Sequence, residues 1–248
     1  MTIVTFVKHV PDAEARLRTG PEGIDLDGAG FALDGMDEYG VEQALRLKEA
    51  GQADEVVALA LGPARVEAAL RSALALGADR AVLLETDADL DPIAQAPALA
   101  AAVLEAGARL VFVGGKQADW DSAALGPALA ESLGWPLLDW ATELTLVEGD
   151  VVAVHDADDG SAAWRAPLPV VATTQQGLNE PRYPTLPNIM KAKRKPLERR
   201  ALEGVTATVA TVRVELPSRA RRGVILDGDV GVAARELARR LRDEAKVL

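Results

Sequence analysis

The chain has no cysteine among its 248 residues. Disulfide bonds and thiolate-held iron–sulfur clusters are thereby excluded, and the composition suits a reducing compartment. Histidine is limited to His9 and His155, and no His/Asp/Glu cluster has the spacing of a zinc site. Aromatic residues make up 4%, too few for the stacking platforms that hold single-stranded nucleic acid. Positive charge is in deficit as well: the net charge of −11 excludes broad binding to a phosphate backbone. No apolar run approaches the ~20 residues of a membrane-spanning helix. The N-terminus enters a strand-like run with no basic leader, so the expectation is a cytoplasmic chain without membrane insertion. Neither Gly-x-Gly-x-x-Gly after the first strand nor Gly-x-x-x-x-Gly-Lys-[Ser/Thr] occurs, so the ordinary dinucleotide and P-loop readings fail.

What is present is a repeated alternation. Glycines at 51, 77, 107 and 134 each close an alanine- and leucine-rich helical stretch, where a C′ glycine ends a helix. Strand-like runs follow at Glu55–Leu61, Ala81–Glu85 and Leu110–Gly114, and Ile3–Val7 precedes them. All four are almost wholly apolar, as in sheets covered on both faces. Helices are expected over 37–50, 64–76, 92–106 and about 122–133, the third with Asp91 as N-cap and Pro92 at its first position. This alternation predicts an α/β fold, a doubly wound, mostly parallel Rossmann-like sheet with right-handed crossovers.

Beyond Leu138 the pattern turns antiparallel. Strands are expected at Glu143–Glu148, Val151–Asp156 and Ala162–Ala166, with turns at Gly149-Asp150 and Asp159-Gly160. Val170–Thr174 rejoins the main sheet. A strand-like Ala207–Glu215, an arginine-rich linker and a terminal helix from about Val232 to Lys246 follow. The expected division is a nucleotide-binding domain over 1–190, with a recognition loop at 179–195, and an arm over 191–248 that packs on a partner.

In open α/β sheets ligands sit at the C-terminal ends of parallel strands. Three segments converge there: Phe6–Val10, Leu59–Ala64 and Gly114–Gly126. Gly62 admits close backbone approach, and Ser122 offers a hydroxyl near a helix start. From the residues alone this reads either as a phosphate site or as strand-end turns and a helix cap, the commoner arrangement. Lys8, His9, Asp12 and Lys116-Gln117 lack a Ser or Cys partner and read as structural. The four tryptophans read as packing residues. No set for hydrolysis or group transfer is visible, so no substrate turnover is expected.

Residues 179–195, Asn-Glu-Pro-Arg-Tyr-Pro-Thr-Leu-Pro-Asn-Ile-Met-Lys-Ala-Lys-Arg-Lys, carry the most functional information. Pro181, Pro184 and Pro187 hold the segment extended and remove three N–H donors, so a stiff loop with neither helix nor central strand is expected. Tyr183, Leu186, Ile189 and Met190 place an apolar tip beside Lys191, Lys193, Arg194 and Lys195. This reads as a docking surface whose cations steer an acidic partner.

The segment resembles the signature of the β subunit of electron-transfer flavoproteins, Asn-Glu-Pro-Arg-Tyr-x-Thr-Leu-Pro-Asn-Ile-Met-Lys-Ala-Lys. Val7–Asp12, Val41–Glu49, Gly62–Ala64, Ala75–Arg80 and Gly115–Ala118 match in family order, so the resemblance covers nearly the whole chain. It implies an electron carrier whose FAD is held mainly by an α subunit. Acyl-CoA-type dehydrogenases of fatty acid oxidation would reduce that flavin, and a membrane electron-transfer flavoprotein–quinone oxidoreductase would reoxidise it. It further implies AMP in the crevice, or a second FAD as in electron-bifurcating relatives. Phe6 would then fall on a position whose backbone touches adenine and Leu59–Leu61 on a segment lining that base, with Asp121, Ser122 and the turn to Gly126 on the phosphate side. Leu186 matches the family's anchor leucine.

The chain also departs from the family's pattern. Its phosphate-side loop, Asp-Trp-Asp-Ser-Ala-Ala-Leu-Gly, is one residue short and carries Ala124 in a polar place. Ala13 and Met36 stand where relatives carry aromatics beside the flavin, and Asp34 where asparagine is common. The chain alone is therefore expected to bind redox FAD poorly. The alternative expectation is a stand-alone adenine-nucleotide-binding α/β protein that uses 179–195 to form a homo-oligomer.

Overall fold

In chain order the structure opens with β1 (Thr2–Phe6), four short strands β2 (His9–Pro11), β3 (Arg18–Gly20), β4 (Gly23–Asp25) and β5 (Phe31–Leu33), then α1 (Gly35–Glu49). Next come β6 (Glu55–Gly62), α2 (Glu67–Leu76), β7 (Arg80–Glu85), α3 (Pro92–Glu105), β8 (Ala108–Gly114) and α4 (Leu125–Leu133). An antiparallel stretch follows: β9 (Leu137–Val147), β10 (Asp150–Ala157) and β11 (Gly160–Pro167). The rest is β12 (Val170–Thr174), α5 (Leu186–Ala192), β13 (Leu197–Ala201) and α6 (Val230–Asp243). This computed structural model describes residues 1–15, 17–20, 23–214 and 223–248.

One nine-stranded sheet runs β11-β10-β9-β12-β8-β1-β6-β7-β13. It is parallel from β9 to β13, and only the β9–β10–β11 meander is antiparallel. The chain reverses direction of growth at β1, with β6 on one side and β8 on the other, which defines the switch-point crevice. The fold is therefore the α/β, mostly parallel architecture that the apolar runs predict. One face packs Ile3, Leu110 and Phe112 under Val41, Leu45, Leu70 and Leu74 of α1 and α2. The other packs Val4, Phe6, Leu59 and Val111 under Leu99, Val103, Leu125 and Leu129 of α3 and α4.

Local chemistry starts and stops these elements. Asp34 caps α1 by accepting from the Met36 N–H at 2.9 Å. Asp91 caps α3 from Ile93 and Ala94 at 3.0 and 3.1 Å, with Pro92 in the first turn. Gly134 closes α4 in the left-handed region at φ 65.

Several expectations are corrected. The 179–195 segment is not wholly extended, because Leu186–Ala192 form α5. Pro187 sits in its first turn, where the missing N–H has no intrahelical partner to lose, and Thr185 caps the helix through Asn188 N at 3.4 Å. No strand runs over 207–214, and Glu215 lies outside the described residues. That backbone is held instead by Asp91, which accepts from Thr208 Oγ1 at 2.8 Å and Val209 N at 3.0 Å. The extra strand is β13, paired with β7. Most of the arginine-rich linker (Arg219, Arg221, Arg222) lies outside the described residues. Helix α4 begins at Leu125, three residues beyond Ser122. Trp164, expected to pack, is exposed on β11.

The residues form two units, Met1–Arg213 and Val214–Leu248. The first therefore continues past residue 190, because β13 extends its sheet. In the second, α6 is capped by Asp229, tied by ion pairs from Arg239 and Arg240 to Glu236, and buries none of its residues.

Candidate functional site

Two places gather the expected site residues. The first is the crevice at the C-terminal ends of β1 and β8. Helix α1 begins there, and its first turn is stitched to the strand ends. Asp37 accepts from the N–H groups of Lys8 and Gly114, both at 2.8 Å, while Asp34 accepts from Ala118 N at 2.7 Å. The approach is so close that a Cβ on Gly114 would lie 2.7 Å from Asp37 Oδ1, which requires glycine there. Burial, helped by the neighbouring Asp34 charge, pushes the Asp37 carboxyl up to about 8 against the pull of its two N–H donors. Lys8 Nζ pairs with Asp119 at 2.7 Å across the mouth of the crevice, and Lys116 with Asp121 at 2.8 Å. Neither Asp37 nor these pairs stood out in the sequence, although Asp-x-x-Asp over a helix start is the signal for the first.

The predicted crevice residues divide between two sides of the sheet. Phe6 and Leu59 are paired in register and buried, and Leu61 pairs with Leu84 and is half-buried. Gly62, at φ 147, has Val66 Cγ2 2.9 Å from where a Cβ would stand. Gly126 is buried in the first turn of α4 against Thr173. Asp121 and Ser122 lie exposed in the preceding loop. Asp34 belongs to α1, on the opposite face.

At the predicted crevice the packing leaves little room for the adenine nucleotide that the family resemblance implies: Phe6 and Leu59 are buried, and Val66 Cγ2 stands 2.9 Å from where a Cβ on Gly62 would lie. Cofactor pockets measure about 300 Å³ or more. A cavity of about 40 Å³ lies at the other end of this face, lined by Val4, Val57, Leu59 and Val82 beneath Arg80 and Arg200. A hollow of about 300 Å³ lies by the β3–β4 hairpin, between Arg18, Asp25 and Gly28. Neither touches Phe6, Leu61, Asp121, Ser122 or Gly126.

The second place is the 179–195 segment, bolted to α1 and α2 at both ends. At the first end the Arg182 fork donates to Glu42 at 2.7 and 3.2 Å and to Glu49 at 2.5 and 2.9 Å. Arg46 Nε also donates to Glu42, at 2.7 Å. Asn179 Nδ2 donates to the Tyr39 carbonyl at 3.0 Å. Burial works to raise Glu42, but bonds from Arg182 and Arg46 outweigh it and hold the carboxyl below its ordinary value. At the other end Arg71 donates to the carbonyls of Ala192 and Lys195, at 2.9 and 3.0 Å. Lys195 Nζ caps the end of α2 through Leu74 and Ala78 carbonyls at 3.0 and 2.6 Å.

Between these clamps the tip faces outward: Tyr183 is 94% exposed, Leu186 73%, Met190 58% and Ile189 40%. Of the six cations in 191–200, three are spent inside the fold. Lys195 caps α2, Arg199 pairs with Glu85, and Arg200 with Glu198 and Glu105. Lys191, Lys193 and Arg194 are exposed and carry no ion pair among the described residues.

Residues 24–204 match the family model described as "Electron transfer flavoprotein domain". The "Electron transfer flavoprotein subunit beta" of Bradyrhizobium diazoefficiens is 35% identical over 254 residues, with all of both chains covered. The chain belongs to the electron-transfer flavoprotein β-subunit family. The mitochondrial protein of that name from Oryza sativa subsp. indica is 38% identical, again with both chains fully covered. The "Electron transfer flavoprotein subunit beta" of Sus scrofa is 38% identical over 94% of this chain and 96% of its own. Membership in this flavoprotein family makes the chain an electron-transfer subunit. No described helix is long and apolar enough to cross a membrane.

Proposed function

We propose that this chain is the docking half of a two-chain electron carrier. Its partner would be an electron-transfer flavoprotein α subunit that holds most of the FAD, and the flavin, when bound, accepts and releases the electrons. This chain supplies a fixed wall at the crevice, near Met36 and Asp34, and the surface on which redox partners land. Acyl-CoA-type dehydrogenases are the proposed donors, and a membrane quinone oxidoreductase the proposed acceptor. The clamped tip is the observation that carries the reading. Leu186 and Met190 are held out in water on a base fixed by Arg182, Arg71 and Lys195. Pre-organising an apolar anchor removes part of the ordering cost of association, and three exposed cations beside it speed encounter with an acidic rim.

The Val214–Leu248 unit is the proposed grip on the α subunit, with Val230, Leu237 and Leu241 spaced along one stripe of α6. Co-expression with an α subunit tests the whole reading. The expected product is a 1:1 complex carrying FAD, which accepts electrons from an acyl-CoA dehydrogenase and loses that transfer on Leu186→Ala. A homo-oligomer that ignores the α subunit would sink it.

A further inference from the structure

We propose that the switch-point crevice of this chain is filled by its own side chains, with Phe6 and Leu61 in the place of a base and Asp119 and Asp121 on the cations a phosphate would need, so that no adenine nucleotide binds there. The proposal stands apart from the carrier reading, since a flavin on the partner does not require a nucleotide here.

Packing is the first argument. A pocket that encloses most of a ligand leaves its apolar lining open to water once the ligand is absent. Here the lining is closed at Phe6 and Leu59 and half-closed at Leu61. Phe6 is 4% exposed and Leu59 2%, and Leu84, Val113 and Leu125 are buried in the same cluster. Helix α4 cannot stand further off to make room without giving up that contact, for Gly126 already lies flush against the Thr173 methyl. The free space beside Gly62 is taken by Val66. A residue with a benzyl side chain at position 6 closes the slot that a smaller one would leave open.

Charge is the second. Two cations at the crevice, Lys8 and Lys116, are each held by a carboxylate of the 115–121 loop, at 2.7 and 2.8 Å. Ala124 gives α4 no side-chain cap, which leaves its first turn open to an anion, but Pro127 removes a donor from that turn. An incoming phosphate would have to displace two ion pairs to reach a neutralised site.

The test uses the co-expressed complex of the full chain with its α subunit. Bound nucleotides are released by acid and counted by mass spectrometry, with FAD as the internal standard for the number of complexes. The expected result is FAD without AMP or a second FAD. AMP equal to FAD, or FAD at two per complex, overturns the proposal, whereas absence of any FAD strikes the carrier reading and leaves AMP content to decide this one. Phe6→Ala reopens the slot. Saturating adenosine, which needs no phosphate site, should leave the wild-type melting temperature unmoved and raise that of the variant by about 5 °C. A wild type that responds, or a folded variant that does not, refutes the role given to Phe6. If the variant fails to fold, the nucleotide content of the wild type still decides.

Discussion

Arg182→Ala tests the clamp under the docking tip. Glu42 is 5% exposed at its side chain and shares its two oxygens between Arg182 and Arg46. Charge-assisted hydrogen bonds contribute about 1.5–3 kcal/mol each set, and the exposed pair with Glu49 less than about 1 kcal/mol. Arg46 stays in place after the substitution, so Glu42 is not left bare and the lower part of that range applies. The expected loss is about 2 kcal/mol, a fall in melting temperature of about 4–8 °C for a unit of this size. Urea unfolding at pH 7 measures it directly.

The pH dependence has a definite sign. A carboxyl whose folded pKa is depressed stabilises fully above the unfolded value of about 4.3 and loses that contribution as pH falls through the folded one. The gap between wild type and variant should therefore be widest near neutrality and narrow below about pH 4. Lysine at 182 cannot fork across two carboxylates and should restore only part of the loss. A change below about 0.5 kcal/mol at pH 7 would show that Arg182 does not hold this end of the segment and refute that half of the clamp.

Further outcomes follow from other contacts. Gly126→Ala should destabilise by about 1–3 kcal/mol, because a Cβ there meets Thr173 Cγ2 at 2.4 Å and the Thr173 hydroxyl is held by Trp140 N at 2.7 Å. Adding Thr173→Ser, which keeps the hydroxyl and removes the methyl, should recover most of it in a double-mutant cycle of unfolding free energies. Asp37, raised to about 8 by burial, contributes stability that is full below about pH 4 and lost as pH rises through about 8. The urea midpoint should therefore fall more steeply between pH 5 and 8 in wild type than in Asp37→Asn, and parallel curves would refute this. Charge reversal at Lys191, Lys193 and Arg194 together should slow association with a dehydrogenase at low salt and matter little at high salt, as read by stopped flow. The same reversal at Lys195 should act on folding stability instead.

Much of the fold was legible because buried parallel strands leave an unmistakable record. Ile3–Val7, Glu55–Leu61, Ala81–Glu85 and Leu110–Gly114 are almost wholly apolar, as strands covered on both faces are. β13 left no such record. Leu-Glu-Arg-Arg-Ala is an edge strand whose charged side chains reach Glu85 and Glu105, so its identity resides in partners distant in sequence. The alternating valines and threonines of 207–214 imitate a strand, yet their backbone is claimed by Asp91. Helix α5 was hidden because proline forbids helix interiors but suits helix starts, and a single chain does not say which turn a proline will occupy. At the site, the apolar tip and the sign of the adjacent charge could be read directly. Which three of six cations face inward could not, since that depends on where Leu74, Ala78, Glu85 and Glu105 lie in space.

The docking helix sits between the last two strands to join the sheet, β12 and β13. During synthesis its apolar tip leaves the ribosome before Lys195, which fastens its second end to α2, does. Until Lys195 has emerged, Leu186 and Met190 belong to a stretch fastened only at its Arg182 end. An exposed tip framed in this way is held at both ends only once the chain beyond it has reached α2.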